Sequence, residues 1–296
     1  MINKYPKITI VTPSYNQGQF LEDTILSVLG QNYPNLEYIV MDGGSSDNSV
    51  DILKKYDNEI SYWESQKDKG QSDAINRGFT RSTGDILMWL NSDDMLMPNV
   101  LNFIAQTFLE NGDCLYFGNC IHFRENTYLW STGSNLVETS LRNRIKDLAY
   151  IIQPSSFWTK KIWLEIGSLN ENLHYTFDWE WFIRVSDAGY SFKALSKPLS
   201  IYRYHEDHKS GTGGAVRQNE VLSILEKYSP RLSQLYSYLI NSPDVSNSNS
   251  LRLKIYKLYC RVIRRKYSDV DILRFLEPEK YKNYTVEEIW KMKSML

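Results

Sequence analysis

Apolar residues in the first hundred positions gather into short runs of two alternating kinds. Lys7-Ile8-Thr9-Ile10-Val11-Thr12 and Glu37-Tyr38-Ile39-Val40-Met41 are β-branched or aromatic and of strand length, the first stopping at Pro13. Between them Phe20, Leu21, Ile25, Val28 and Leu29 recur at helical spacing, and Pro34 closes the connection. After the second strand, Asp47 stands where it would cap a helix carrying Val50, Ile52, Leu53 and Tyr56. A short third strand over residues 60–63 and a helix over 71–80 come next. Ile86-Leu87-Met88-Trp89-Leu90 is apolar at every position and fits a strand buried on both faces. Alternation of strand and helix on this scale predicts a doubly wound α/β sheet.

Beyond a helix expected to begin near Pro98, the pattern becomes strand-rich. Leu115-Tyr116-Phe117 and Ser155-Ser156-Phe157-Trp158 read as strands, Ile121-His122-Phe123 and Tyr128-Leu129-Trp130 as a hairpin, and Ile201-Tyr202-Arg203-Tyr204-His205 as an edge strand. Ser210-Gly211-Thr212-Gly213-Gly214 reads as a mobile loop able to close over a ligand. Residues 216–238 look helical, 241–250 are a polar linker, and the last helix spans 286–295. Residues 251–267 carry Arg252, Lys254, Lys257, Arg261, Arg264, Arg265 and Lys266 with no acidic residue. Leu251, Ile255, Leu258, Tyr259 and Val262 fall there at helical spacing, so this helix either packs on a neighbouring domain or lies on anionic lipid.

Composition narrows the classes. A formal net charge of −1 over 296 residues provides no field for nucleic acid. Three cysteines, Cys114, Cys120 and Cys260, lack metal-ligand spacing, and their odd number argues for free thiols in a reducing compartment. Met1-Ile2-Asn3-Lys4 leads straight into a strand, so no signal peptide is expected, and no run reaches the ~18 apolar residues of a membrane span. The expected location is the cytoplasm, soluble or peripheral at the inner face of the membrane. With 21 tyrosines and 8 tryptophans the chain is rich in rings that suit stacking on bases or sugars, or simply a core.

Three strands end in polar clusters: Thr12-Pro13-Ser14-Tyr15, Asp42-Gly43-Gly44 and Asn91-Ser92-Asp93-Asp94. In a parallel sheet all three open onto the same edge, where ligands bind. Two adjacent carboxylates there suit a hard divalent cation, though a solvated turn before a helix has the same composition. No G-x-G-x-x-G turn follows the first strand, against a dinucleotide site.

These segments, with Gly70-Gln71-Ser72-Asp73-Ala74-Ile75-Asn76, come in the order and spacing of family 2 glycosyltransferases, which the chain resembles over roughly residues 5–210. The resemblance implies the GT-A fold: a Rossmann-like nucleotide-binding sheet (1–98) continuous with a mixed-sheet acceptor half (99–213), with residues 214–296 as a helical appendage. It further implies an inverting, metal-dependent hexosyl- or N-acetylhexosaminyl-transferase moving sugar from a UDP-sugar to a glycan or lipid-linked acceptor, in cell-surface polysaccharide assembly. Donor contacts are expected from Thr12, Pro13, Tyr15 (stacked on the base), Asp42 and Asp68 (at the base edge), Asn76, Asn91 and Ser92. Asp93 is the expected ligand of Mn²⁺ or Mg²⁺, with His205 completing the shell and Asp94 either a further ligand or the residue that opens the next helix.

Asp178, six residues before Arg184, matches the family's general base, with Glu180 second. Asn91 stands where the D-x-D motif has its first aspartate, and Ile75 where relatives carry an arginine on the donor. His208 and Lys209 are near enough to meet phosphate instead. Two other functions share parts of this pattern. A nucleotidyltransferase would need basic residues between Thr12 and Phe20, and there are none; a sugar-nucleotide-binding module without turnover would not need both Asp93 and Asp178.

Overall fold

The sheet is built outward from β1 (Ile8–Ser14), every residue of which is buried. The computed structural model describes residues 5–124, 129–132, 144–205, 209, 213–241, 251–264 and 266–296. The expectations for Tyr128, His208, residues 210–212 and 242–250 lie outside them. β1 is flanked in parallel by β2 (Leu36–Asp42) and β4 (Ile86–Trp89), and β3 (Tyr62–Ser65) lies parallel beyond β2. Helices α1 (Gly18–Leu29), α2 (Ser49–Lys55) and α3 (Gln71–Arg81) make the connections. Of the residues read as the apolar face of α1, Phe20, Leu21, Ile25 and Val28 are buried and Leu29 is partly buried.

Strand β1 does not stop at Pro13 as the pattern suggested; it runs on to Ser14. The carbonyl of Val11 accepts from Leu90 on the β4 side. Backbone groups alternate sides along a strand, so the position of Pro13 also faces β4, whose pairing with β1 has already ended at Trp89. The missing N–H therefore breaks no ladder bond.

The second half continues the same sheet. β8 (Ser156–Thr159) pairs antiparallel with β4, β6 (Cys114–Arg124) pairs with β8, and β9 (Ser191–Tyr204) runs parallel to β6. β5 (Met95–Leu96) closes the far side against β9, and β7 (Leu129–Thr132) forms the expected hairpin with the end of β6. The order is β3-β2-β1-β4-β8-β6-β9-β5. Two expectations change here. β6 is one 11-residue strand rather than two pieces, and β9 is a 14-residue strand held on both sides at Ser200–Ile201 rather than a short edge. Gly118 and Pro198 hid this continuity. They lie at the register shift between β6 and β9, where a Cβ on Gly118 would stand 2.6 Å from Leu199 Cγ.

α4 (Val100–Asn111) follows β5, and α5 (Lys160–Ile166) and α6 (Phe177–Asp187) follow β8. An aromatic cluster joins these helices to the sheet. Trp158 stands 5.2 Å from Trp89 and 4.8 Å from Trp181 between ring centroids, and Phe79 packs 4.5 Å from Trp163. The three cysteines are free and buried.

The chain divides into two compact units, residues 1–145 with 149–212, and 146–148 with 213–296. The second is helical: α7 (Gly214–Tyr228), α8 (Pro230–Ile240), α9 (Leu251–Val262), α10 (Asp269–Leu276), α11 (Pro278–Tyr281) and α12 (Val286–Lys293). The single helix expected through residue 238 is two, because Pro230 cannot continue α7 and starts α8 after Ser229 takes a non-helical conformation. No helix among the described residues is long and apolar enough to cross a membrane.

Candidate active site

Because β1, β2 and β4 are parallel, their three polar ends do share one edge. Asp42 is 2 % exposed and turned into its own loop. Its Oδ2 accepts from the Gly44 and Ser45 amides at 3.1 and 2.9 Å and from Ser65 Oγ at 2.6 Å; its Oδ1 accepts from Ser45 Oγ at 2.5 Å. Three of these bonds fall on Oδ2, and Oδ1 has the single partner Ser45 Oγ. Asn16, at φ 52°, stitches this loop to the end of β1: its amide donates to Ser45 Oγ and its Oδ1 accepts from the Ser46 amide. Asp47 accepts from the amides of Gly18 and Ser49, joining the starts of α1 and α2, although the N-cap position of α2 is Asn48.

Next to this loop, Gly43 leaves room that another carboxylate uses. A Cβ on Gly43 would lie 2.7 Å from Asp68 Oδ2. Asp68 Oδ1 is held by the Gly70 amide at 2.9 Å, leaving the second oxygen toward that space. Tyr15 is 61 % exposed at the end of β1, whereas Thr12 is buried and accepts from the Tyr38 hydroxyl at 3.2 Å. Pro13 is buried as well.

The two acids after β4 have opposite surroundings. Asp94 is 1 % exposed, with Oδ2 accepting from Asn91 Nδ2 at 3.2 Å and Oδ1 from the Arg203 amide at 3.3 Å. Burial, and then the charge of Asp93, push the Asp94 carboxyl well above the usual carboxylate range, against the pull of those donors. Asp93 is partly exposed, and its Oδ2 lies 3.1 Å from His205 Nε2. Two ligands at right angles about 2.1 Å from a common ion stand about 3 Å apart, so this pair fits a divalent cation as adjacent ligands. Such an ion would also relieve the like-charge penalty on Asp94. Among the described residues no three His, Cys, Asp or Glu side chains converge, so phosphate and water oxygens would supply the remaining ligands.

Several residues outside the sequence-level candidates hold this loop in place. Thr24 Oγ1 lies 2.8 and 2.7 Å from the carbonyls of Ser92 and Asp94. Gln71 donates to Asn91 Oδ1 at 2.7 Å, Asn91 donates to Gln153 at 3.4 Å, and Gln153 donates to the Trp89 carbonyl at 2.7 Å. Arg203 is 4 % exposed; it donates to the Asp93 carbonyl at 3.2 Å and to Asp23 at 2.8 Å, and lies over the Phe20 ring. His205 packs on the same ring, 4.6 Å between centroids. Arg203, in β9, and His205, just past its end, are two residues apart, a period-two spacing that was a readable signal; Gln153 and Thr24 had none.

Asp178 is half-buried in the first turn of α6, where its Oδ1 accepts from the Trp179 amide at 2.7 Å. The adjacent Phe177 lies 6.1 Å from Trp89 at the end of β4, which brings this helix start beside the 91–94 loop. Lys209 stands over Phe177 and donates to Gln71 Oε1 at 2.7 Å. Glu180, by contrast, is a buried partner of Arg184, which donates through Nε to both its oxygens at 3.1 and 3.0 Å and also to the carbonyls of Ile166 and Ser168. Asn76 is likewise engaged: its amide brackets the backbone of Leu169, donating to the carbonyl at 3.0 Å and accepting from the N–H at 2.9 Å.

A family model described as glycosyl transferase family 2 matches residues 9–186. An uncharacterised glycosyltransferase of Rickettsia typhi is 27 % identical over 240 residues, 75 % of this chain and 69 % of that protein. The GalNAc(5)-diNAcBac-PP-undecaprenol beta-1,3-glucosyltransferase of Campylobacter jejuni is 29 % identical over 175 residues, 57 % of this chain and 56 % of its own length. Among solved structures, S. aureus TarS 1–349 in complex with UDP-GlcNAc has a TM-score of 0.62 at 12 % identity, covering 97 % of this chain and 90 % of that one. The mannosyltransferase PcManGT from Pyrobaculum calidifontis, in complex with GDP-Man and Mn²⁺, has a TM-score of 0.56 at 12 % identity, covering 98 % and 74 %.

Proposed function

The chain belongs to glycosyl transferase family 2 and has the GT-A fold, and from that premise we propose that it transfers sugar from a UDP-sugar to a hydroxyl of a glycan or lipid-linked acceptor, with inversion. The observation that carries this reading is the division of labour at the strand-end edge. Asp93 and His205 face one another in a partly open position, beside Asn91 and Asp94, whose side chains are bonded inward.

In this reading Tyr15 stacks on the base, the Asp68 carboxylate accepts from the base edge in the space beside Gly43, and Thr12 and Pro13 provide backbone to the nucleoside. Asp42 acts through the 43–46 loop that it holds, Asn91 and Ser92 through the shape of the loop bearing Asp93, and Asn76 through the 167–171 segment. Lys209 is suited to the diphosphate, where Ile75 leaves relatives' arginine unreplaced. A divalent cation, Mn²⁺ or Mg²⁺, held by Asp93 and His205 would neutralise the diphosphate's charge, with Asp94 fixing the loop beneath.

Asp178 is the base. Its carboxylate, at a helix start where backbone amides favour the anion, takes the acceptor hydroxyl's proton as that oxygen bonds the anomeric carbon. The bond from that carbon to the diphosphate oxygen breaks on the opposite face, its electron pair leaving with UDP, and the configuration inverts. Glu180 is unsuited to this work because Arg184 occupies both its oxygens. The Campylobacter relative's name favours a lipid-linked acceptor and surface-glycan assembly.

Incubation with radiolabelled UDP-sugars, Mn²⁺ and extracted lipid acceptors tests the reading. Transfer or slow donor hydrolysis, lost in Asp93→Ala and Asp178→Asn, supports it. Donor binding without turnover across all donors and acceptors would leave a binding module in its place.

A further inference from the structure

The helix α9 has two apolar faces, and only one is used. Leu253 and Cys260, one heptad apart, are buried in the helical unit, and Tyr256 stacks on Phe275 of α10 at 4.4 Å. On the opposite side Ile255, Leu258, Tyr259 and Val262 follow i, i+3, i+4, i+7 spacing and are between 56 and 72 % exposed. This is the stripe that the sequence pattern offered either to a neighbouring domain or to anionic lipid; it stays exposed, and the helix packs by its other side. Ile263 and Tyr267 extend the exposed apolar surface past the helix end. A contiguous exposed patch of this kind marks an interaction surface.

The charges beside it select the partner. Lys254, Lys257 and Arg261 run along one flank of the stripe at i, i+3, i+7, and Arg264 and Lys266 stand exposed just beyond. Residues 251–267 contain seven basic and no acidic residues. A second copy docking through the same stripe would bring like charges together with no carboxylate on the helix to offset them. Nucleic acid offers phosphates but no apolar layer to receive the stripe. A bilayer with anionic headgroups offers both, negative charge at its surface and hydrocarbon a few ångströms below. Tyr259 and Tyr267 have the apolar ring and polar tip that suit that boundary.

We propose that α9 is a membrane-docking helix, lying along an anionic bilayer with Ile255, Leu258, Tyr259 and Val262 inserted and Lys254, Lys257 and Arg261 at the headgroups. The proposal is independent of the identity of donor and acceptor. The test is co-sedimentation of the full chain with vesicles of pure phosphatidylcholine and with vesicles containing phosphatidylglycerol, at low and high salt. Binding is expected to the anionic vesicles alone and to weaken with salt. The pairs Leu258→Ser with Val262→Ser, and Lys254→Glu with Arg261→Glu, should each lower it about tenfold or more. Thermal melts should match wild type, since these positions are exposed or flank the exposed face; if one pair melts early, the other decides. Three results would overturn the proposal: wild type that ignores anionic vesicles, variants that bind as wild type does, or sedimentation velocity showing a dimer that Leu258→Ser with Val262→Ser dissociates.

Discussion

The loops after β2 and β4 end neighbouring regions of one sheet, and both carry an acid at the strand end, yet the two acids are used differently. In the first, Asp42 accepts four bonds from its own loop and from Ser65 of β3, and a second carboxylate, Asp68, with one oxygen directed at the space beside Gly43, arrives from a different segment. In the second, the adjacent acids split the work, Asp94 turned inward and Asp93 outward to His205. The same split recurs in α6, where Glu180 is clamped by Arg184 and Asp178 is half-buried at the helix start. The difference teaches that an acid's place in a motif does not reveal whether it acts on a ligand or on the fold. The number of its lone pairs that the protein already uses does.

If that division is right, the outward acids control turnover and the inward ones stability. Asp93→Ala should lower kcat/KM about a thousandfold or more, the scale of several kcal/mol at a phosphate-bound cation, with an unchanged melt. Asp94→Ala should instead remove the acceptor of one Asn91 amide hydrogen and of the Arg203 N–H and destabilise the fold by about 1–3 kcal/mol. Initial rates at saturating Mn²⁺ and calorimetry on both variants check this pair; equal melts would remove the distinction. Asp178→Asn should lower kcat on the order of a hundredfold to a thousandfold with donor affinity intact. Glu180→Gln should weaken the Arg184 clamp, showing as a lower melting temperature with kcat largely kept. A Glu180→Gln enzyme as slow as Asp178→Asn would move the base to the wrong side of the comparison.

Much of this was legible in the sequence. The alternation that built β1 to β4 and the three polar strand ends come from short-range patterns, which periodicity expresses directly; Asp178 was singled out only by the family resemblance. What was illegible depends on distance. Arg203 reaches Asp23 across 180 positions, and nothing near either residue announces the pair. The long β6 and β9 were read as fragments because Gly118 and Pro198 look like breaks locally, whereas in three dimensions they occupy one bulge. The second face of α9 was invisible because a single stripe already explained its amphipathicity.

A third inward acid extends the comparison away from the site. Burial opposes the charge of Glu37, but bonds from Lys7, from the amide and hydroxyl of Thr83 and from Thr9 outweigh it and hold its pKa down to about 2. A depressed carboxyl stabilises the fold fully above its unfolded value of 4.5 and loses that contribution as pH falls toward 2. The contribution amounts to about 3 kcal/mol. Urea denaturation between pH 6 and pH 2, an interval set by the two pKa values, should show this loss, and Glu37→Gln should flatten the slope. An unchanged slope would mean that Glu37 is no firmer a part of the fold than an exposed acid.

The smallest effect distinguishes Asp68 from Asp42, and it is the most direct way to break the comparison, because the two acids lie around the same space beside Gly43. Asp68 has one oxygen held by the Gly70 amide and the other directed at that space. Removing its charge should cost the donor one charge-assisted hydrogen bond, about 1.5–3 kcal/mol, so that Asp68→Asn raises the donor Kd about tenfold to a hundredfold with no change in melting temperature. Asp42→Asn replaces one of the two accepting oxygens by an amide that meets a donor on either side, so its effect should appear first as a lower melt and only secondarily as weaker binding. Gly43→Ala supplies the third arm: a methyl 2.7 Å from Asp68 Oδ2 must push that carboxylate aside, and should weaken the donor as Asp68→Asn does while leaving the loop held by Asp42 intact. Isothermal titration with UDP and melts of all three variants separate the roles. Should Asp42→Asn lose UDP at an unchanged melt while Asp68→Asn binds normally, the more heavily bonded carboxylate would be the ligand contact, and counting occupied lone pairs would fail as a guide at this edge.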